Sequence, residues 1–205
     1  MATILMAFDG RAASLARSKG EETELVYSAL SSQPIAQRKA VYRNLSADMK
    51  AALWRAHFNH FLQNHPELSE AQRGVLAKAL ELFSTDTFAT SPAGPDWQSN
   101  VHEPMLQLEE SVRLLFDPLT ARQAFAVLGP DTSPVSNEMA ADREVSALGA
   151  RSLPRAPLRA TVPDCSCSQG SDWCFFSSCR GSVCYMVTAS CGFGWQYDCT
   201  AACSN

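Results

Sequence analysis

The sequence predicts a mainly α protein: an N-terminal helical bundle, a disordered proline-rich linker and a small disulfide-rich C-terminal module with short β-strands. Three observations predict it. Apolar residues between positions 20 and 129 recur at helical spacing between cap signals. All eight cysteines of the 205-residue chain lie from Cys165 onward. Between these parts runs a stretch, 130–163, that holds Pro130, Pro134, Pro154, Pro157 and Pro163 and keeps no apolar period.

Residues 1–19 are weakly patterned and are expected to be poorly ordered. From Gly20 the pattern turns helical. The acidic run Glu21-Glu22-Thr23-Glu24 suits a helix N-terminus, and Leu25, Val26, Ala29 and Leu30 follow on one side. Pro34 breaks this helix, and a second is expected from Ile35 to Leu45. Ser46 reads as an N-cap with Asp48 in the first turn. The helix it opens places Met49, Leu53, Trp54, His57, Phe58, Phe61 and Leu62 on one broad face and stops at Pro66. Ser69-Glu70 opens the next, with Val75, Leu76, Leu80 and Phe83 inward. Residues 85–100 read as a loop. A helix from Glu103 or Pro104 to Phe116 carries Met105, Leu108, Val112 and Leu115. Asp117-Pro118 is an N-cap with proline at the first helical position, and Gly129-Pro130 stops the last helix after Leu128. Five or six such helices joined by short connections make a bundle over 20–129, long enough to bury a core.

The 130–163 segment has the composition of a flexible, protease-accessible linker. The tail, 164–205, is different again. It carries Trp173, Phe175, Phe176, Tyr185, Phe193, Trp195 and Tyr197, but only Asp164, Asp172, Asp198 and Arg180 as charges. A module this small cannot offset its chain entropy by burial alone and needs covalent or metal staples. Eight clustered cysteines supply them: Cys165, Cys167, Cys174, Cys179, Cys184, Cys191, Cys199 and Cys203. Disulfides are the first expectation, with connectivity open. Disulfide geometry suits the neighbours Cys165 and Cys167 poorly, so they are expected to bond to different partners. A zinc site is a rival, but the tail has no His and no C-x2-C pair. Thioether rings are another, since Ser and Thr interleave with the cysteines. Within the tail, Arg180-Gly181 reads as a turn, Val183 to Val187 as a strand, and Cys199 to Cys203 as one helical turn.

The formal net charge of −4 argues against a nucleic-acid partner and against purely electrostatic attraction to an anionic membrane. No apolar run reaches the length of a membrane span. Met1 to Phe8 is apolar but lacks the basic flank and length of a secretory signal. No nucleophile motif, phosphate loop or metalloprotease motif occurs, so an enzyme is not expected and no cofactor is implied. His57 and His60 share one helix at a spacing that suits a metal. Without a third ligand nearby they read as core and boundary residues. Gly149-Ala150 has the form of a double-glycine leader site, but its upstream residues fit that pattern poorly.

The run Cys165-Ser166-Cys167-Ser168, then Ser171-Asp172, Cys174, Cys179, Cys184, and Cys191-Gly192-x-Gly194-Trp195-x-Tyr197 followed by Cys199 and Cys203, resembles the fulvocin C-related bacteriocins. Tyr42-Arg43-Asn44-Leu45-Ser46 through Ala52-Leu53-Trp54-Arg55 to Leu68-Ser69-x-x-Gln72 is similar, less specifically, to the N-terminal region of their precursors. The resemblance implies a secreted antibacterial peptide cut from the C-terminus near Pro163-Asp164, with 20–129 as its pro-region. Its expected partners are export and processing machinery and a target-cell membrane or surface receptor. Trp173, Phe175, Phe176, Trp195 and Tyr197 are the expected contacts, because Trp and Tyr favour boundaries that are apolar on one side and wet on the other. The other readings are an uncleaved secreted or surface binding module and a zinc-binding regulator.

Overall fold

The computed structural model describes residues 6–91, 94–130, 167–168, 178–181 and 188–204. Seven α-helices fill the first part: α1 (Met6–Ser31), α2 (Ile35–Arg43), α3 (Ala47–Asn64), α4 (Glu70–Leu82), α5 (Thr85–Ala89), α6 (Glu103–Leu115) and α7 (Pro118–Phe125). The protein is mostly helical, as its apolar periodicity predicts. The expected linker 130–163, Pro163-Asp164 and Gly149-Ala150 lie almost wholly outside the described residues.

The cap signals hold. Ser46 Oγ accepts from the Met49 N–H at 3.3 Å. Ser69 and Gln72 form a reciprocal capping box, Ser69 N–H to Gln72 Oε1 at 2.9 Å and Gln72 N–H to Ser69 Oγ at 3.3 Å. Asp117 accepts from Leu119 and Thr120 N–H groups. Each satisfies donors that the first turn leaves without partners.

Three expectations in this part change. The first helix starts at Met6, well before Gly20 where the helical pattern sets in; Ala7, Ala12, Ala13, Leu15 and Ala16 favour helix by intrinsic propensity without forming a stripe in the sequence. Residues 85–100 are not all loop. Ser84 caps the short α5, accepting from Thr87 N–H at 3.4 Å, and Gln98–His102 forms a π-helical turn that runs into α6. Both are too short to show a period. The last helix ends at Phe125 rather than Leu128; Val127 and Leu128 are buried in the bend that follows, before Gly129 turns at φ +86°.

The core is aromatic. Trp54, Phe58, Phe83 and Phe125 are fully buried, with Leu53, Leu76, Met105 and Val112 around them. Trp54 and Phe58 descend from α3, Phe83 follows α4, and Phe125 closes α7.

The described tail is two antiparallel pairs. β1 (Ser178–Gly181) pairs with β4 (Ala201–Ser204), and β2 (Thr188–Cys191) with β3 (Tyr197–Cys199). Arg180-Gly181 is therefore strand rather than turn, opposite Ala202 and Ala201. Cys199 to Cys203 is extended rather than helical, because Cys199 pairs with β2, the Thr200 N–H donates to the Cys167 carbonyl and Ala201 to Cys203 pair with β1. The strand expected at Val183 to Val187 lies outside the described residues. Cys167 bridges to Ala201 and forms a disulfide with Cys179, not with its neighbour Cys165; Cys191 bonds Cys199. The pairing of Cys165, Cys174, Cys184 and Cys203 lies outside what is described.

A linker between two parts suggests two cores. Instead Phe193, Trp195 and Tyr197 from the β2–β3 hairpin belong to the same core as the helices.

Candidate functional site: a disulfide-closed hairpin seated in the bundle

The turn of this hairpin, Cys191-Gly192-Phe193-Gly194-Trp195-Gln196-Tyr197, is built to bend sharply and project rings to one side. Ser190, Gly192, Gly194 and Trp195 all have φ between 56° and 82°. The register slips between Ala189 and Cys191, so Ser190 is the bulged residue. Gly192 leads into a single 3-10 turn, Phe193–Trp195. The Cys191–Cys199 bond closes the base of the hairpin.

Gly194 carries a second demand besides its φ of +62°. A Cβ placed there would lie 2.5 Å from the Phe83 ring. Gly194→Ala therefore combines a left-handed backbone cost with overpacking, and is expected to cost about 2–3 kcal/mol of stability by chemical denaturation. Equal stability of the two proteins would show that Phe83 yields freely.

Three rings enter the bundle. Phe193 is fully buried, stacked on Phe125 with centroids 5.1 Å apart and 12° between planes, and edge-on to Phe83 at 5.9 Å. Trp195 lies edge-on to Tyr42 at 5.2 Å and to Trp54 at 6.0 Å. Its Nε1–H donates to the Ala126 carbonyl at 2.9 Å, at the C-terminal end of α7 where carbonyls lack helical partners. Tyr197 is edge-on to Trp97 at 5.9 Å, and its hydroxyl lies 3.1 Å from His102 Nδ1. Trp195 and Tyr197, expected as target contacts, are therefore covered by the helices in the intact chain. Trp173, Phe175 and Phe176 lie outside the described residues.

The electrostatics follow from burial. Lys39 is half-buried, its Nζ 5.6 Å from the Trp195 ring centroid and 3.6 Å from Cys191 Sγ. Burial, then repulsion by Arg122 and Arg43, brings its pKa down to about 8. Burial, and then the Glu109 carboxylate, raise the pKa of the Tyr197 phenol. Burial also raises Tyr42, whose oxygen accepts from Trp54 Nε1–H at 3.1 Å. Both phenols stay protonated at neutral pH. The seat is thus apolar, with neutral hydroxyls and two lysines over ring faces, Lys39 on Trp195 and Lys50 on Tyr42 at 5.4 Å.

The two helical histidines separate in role. His57 is buried: its Nε2–H donates to the carbonyls of Gln123 and Ala124 at 3.0 and 3.1 Å, and its Nδ1 accepts from Tyr27 Oη–H and Gly129 N–H at 3.1 and 3.2 Å. It joins α1, α3 and the end of α7. His60 stacks on Tyr27 and meets Glu24 at 2.8 Å. Among the described residues no group of three His, Cys, Asp or Glu side chains converges on a metal position. A groove of about 1150 Å³ opens beside these residues between α1 and α3, lined in part by Leu25, Tyr27, Phe61 and Pro130.

Burial brings the His57 pKa from the usual 6.5 down to about 4. The unfolded chain thus takes up a proton below pH ~6.5 that the folded chain refuses. This contribution is complete above pH ~6.5 and is lost as pH falls to ~4, amounting to roughly 3 kcal/mol. Unfolding midpoints measured across that window should fall, and His57→Gln should remove this part of the slope. An unchanged slope in the variant would assign it elsewhere.

Pattern reading missed most of the seat. Tyr42 and Phe125 are ordinary helix positions, and Trp97 and His102 lie where no period is visible. The glycine-spaced string Cys191-Gly192-x-Gly194-Trp195 was the available signal, since glycines so placed indicate positive φ or a close approach. Comparisons with family models, with curated proteins and with solved structures find no match to this chain.

Proposed function

We propose that the chain is the precursor of a secreted, cysteine-rich antibacterial peptide released from its C-terminus, with the helical bundle as pro-region, in keeping with its resemblance to the fulvocin C-related bacteriocins. The observation that carries this reading is the seating of Phe193, Trp195 and Tyr197 in the bundle. A peptide that meets a membrane or receptor through aromatic side chains exposes apolar surface, and a producing cell needs that surface covered until export. The helices cover it by ordinary core packing, while Cys191–Cys199 holds the hairpin in shape without reference to the rest of the chain.

Mass spectrometry of culture medium tests the reading. A fragment beginning near Asp164, lighter by two hydrogens per bridge, is expected, together with killing of sensitive bacteria. Medium holding the whole chain alone would rule the reading out. Because the tail carries so little charge, killing is expected to change less than about threefold between low and physiological salt. A collapse of activity with salt would point to an electrostatic mode of action.

A second reading, an uncleaved secreted or surface binding module, is favoured by the shared core. A hairpin that completes the bundle suits a chain that is never cut. The same spectrum separates the two.

A further inference from the structure

We propose that the helical bundle is a non-covalent inhibitor of the tail that keeps its hold after the linker is cut, so that proteolysis alone does not release the hairpin. Among the described residues, the contacts that seat the hairpin include the Phe193 stack on Phe125, the approach of Gly194 to Phe83, the Trp195 hydrogen bond to Ala126 and its edge contacts with Tyr42 and Trp54, and the packing of Tyr197 on Trp97. All are non-covalent. None uses a residue between Asp131 and Ser166. Hydrolysis of a peptide bond in that interval leaves every one of them in place.

Two features favour retention. The Cys191–Cys199 bond keeps the loop in its seated shape once the chain is cut, so little ordering is needed to stay bound. Departure would also open a cleft floored by Trp54, Phe83 and Phe125, each fully buried when the hairpin is present. An emptied aromatic cleft of this kind takes its occupant back. The occupant is specific: a tight turn with glycine at position 194, which a side chain would obstruct, and an indole N–H aimed at the end of α7.

Release then requires a competitor for the same rings, an apolar membrane boundary or a target protein. Retention of the cut tail stands apart from the antibacterial reading. Inhibition rests on that reading, since Trp195 and Tyr197 would serve both bundle and target.

The test uses the oxidised full chain with a specific protease site inserted between Ala150 and Arg151. After complete cutting, gel filtration in native buffer is expected to give one species holding both fragments, with unchanged tryptophan emission. That species should not kill until the fragments are separated in denaturant and the tail is recovered. Trp195→Ala should weaken retention roughly 100-fold, as for a buried indole at the centre of a contact. Leu114→Ala, at a position 78% exposed, should leave retention unchanged. If the wild-type fragments separate on cutting, the proposal is overturned, whatever the variants do. If they co-elute but already kill, inhibition is overturned. If they co-elute and the separated tail is harmless, retention is supported and the antibacterial reading fails.

Discussion

Phe193→Ala lowers the unfolding free energy of the oxidised chain by about 3–5 kcal/mol, the range for a large ring removed from a closed core. Phe193 is 0% exposed, and its neighbours Phe83 and Phe125 are also 0% exposed. They sit on the α4–α5 junction and at the end of α7, so neither moves to fill the space without shifting its helix. The cavity persists, and the lost stacking on Phe125 adds to it. The prediction is sharp because Phe193 lies in a segment that reads as a separate module. A ring on an independent tail would change bundle stability by no more than ~0.5 kcal/mol, the usual size for a surface substitution. Urea unfolding followed by tryptophan emission distinguishes the two. Trp54 and Trp97 lie in the helical part and Trp173 and Trp195 in the tail, so the summed emission reports on both, and a shared core requires it to change in one transition. Two separated transitions, or a cost near zero, would mean that the hairpin is not part of the fold.

The difference between what could be read from the chain and what could not has a physical basis. Helices announce themselves locally. Ser46, Ser69 and Asp117 cap where their neighbours say they should, and the α3 stripe from Leu53 to Phe61 faces inward as its spacing requires. Disulfide bonding followed from cysteine density, and Cys167 and Cys191 show it. Pairing did not follow, since it depends on which strands meet. The union of tail and bundle was hidden for the same reason. Phe125 and Phe193 stack across 68 positions of chain, and neither carries a mark of the other. Composition is silent on this packing. A proline-rich interval and a change of residue usage suggest two cores, but they do not determine where the second part settles. Only the Gly192–Gly194 spacing hinted that this loop would approach something closely, and Phe83 is what it approaches. Arg38 shows the same blindness within the bundle, since on periodicity alone an arginine in α2 reads as part of a solvated face.

Arg38→Ala is expected to cost about 3–5 kcal/mol, because the guanidinium is buried on backbone carbonyls. Arg38 is 0% exposed. Its guanidinium donates to three carbonyls: Gln33 from Nε at 2.6 Å, Ser31 from Nη2 at 2.9 Å and Leu128 from Nη1 at 2.9 Å. Ser31 is the last residue of α1, where the helix dipole is negative and carbonyls lack partners, so a buried cation there is favourable. Leu128 lies just beyond α7, next to Gly129, whose φ of +86° turns the chain away. One side chain therefore fastens the end of α1 to the end of the bundle. A Cβ on Gly129 would sit 2.7 Å from Ser31 Oγ and 3.1 Å from the guanidinium, which shows how little room remains. Alanine would leave three carbonyls facing a cavity. Lysine keeps the charge but not the fork, and should recover less than half of the loss. Thermal and urea unfolding of both variants would measure this. The anchor lies next to Lys39 and one turn from Tyr42, which hold Trp195, so loosening α2 should also loosen the hairpin. Arg38→Ala is then expected to raise protease sensitivity in both parts of the chain. A cost under ~1 kcal/mol would mean that water replaces the guanidinium at all three carbonyls.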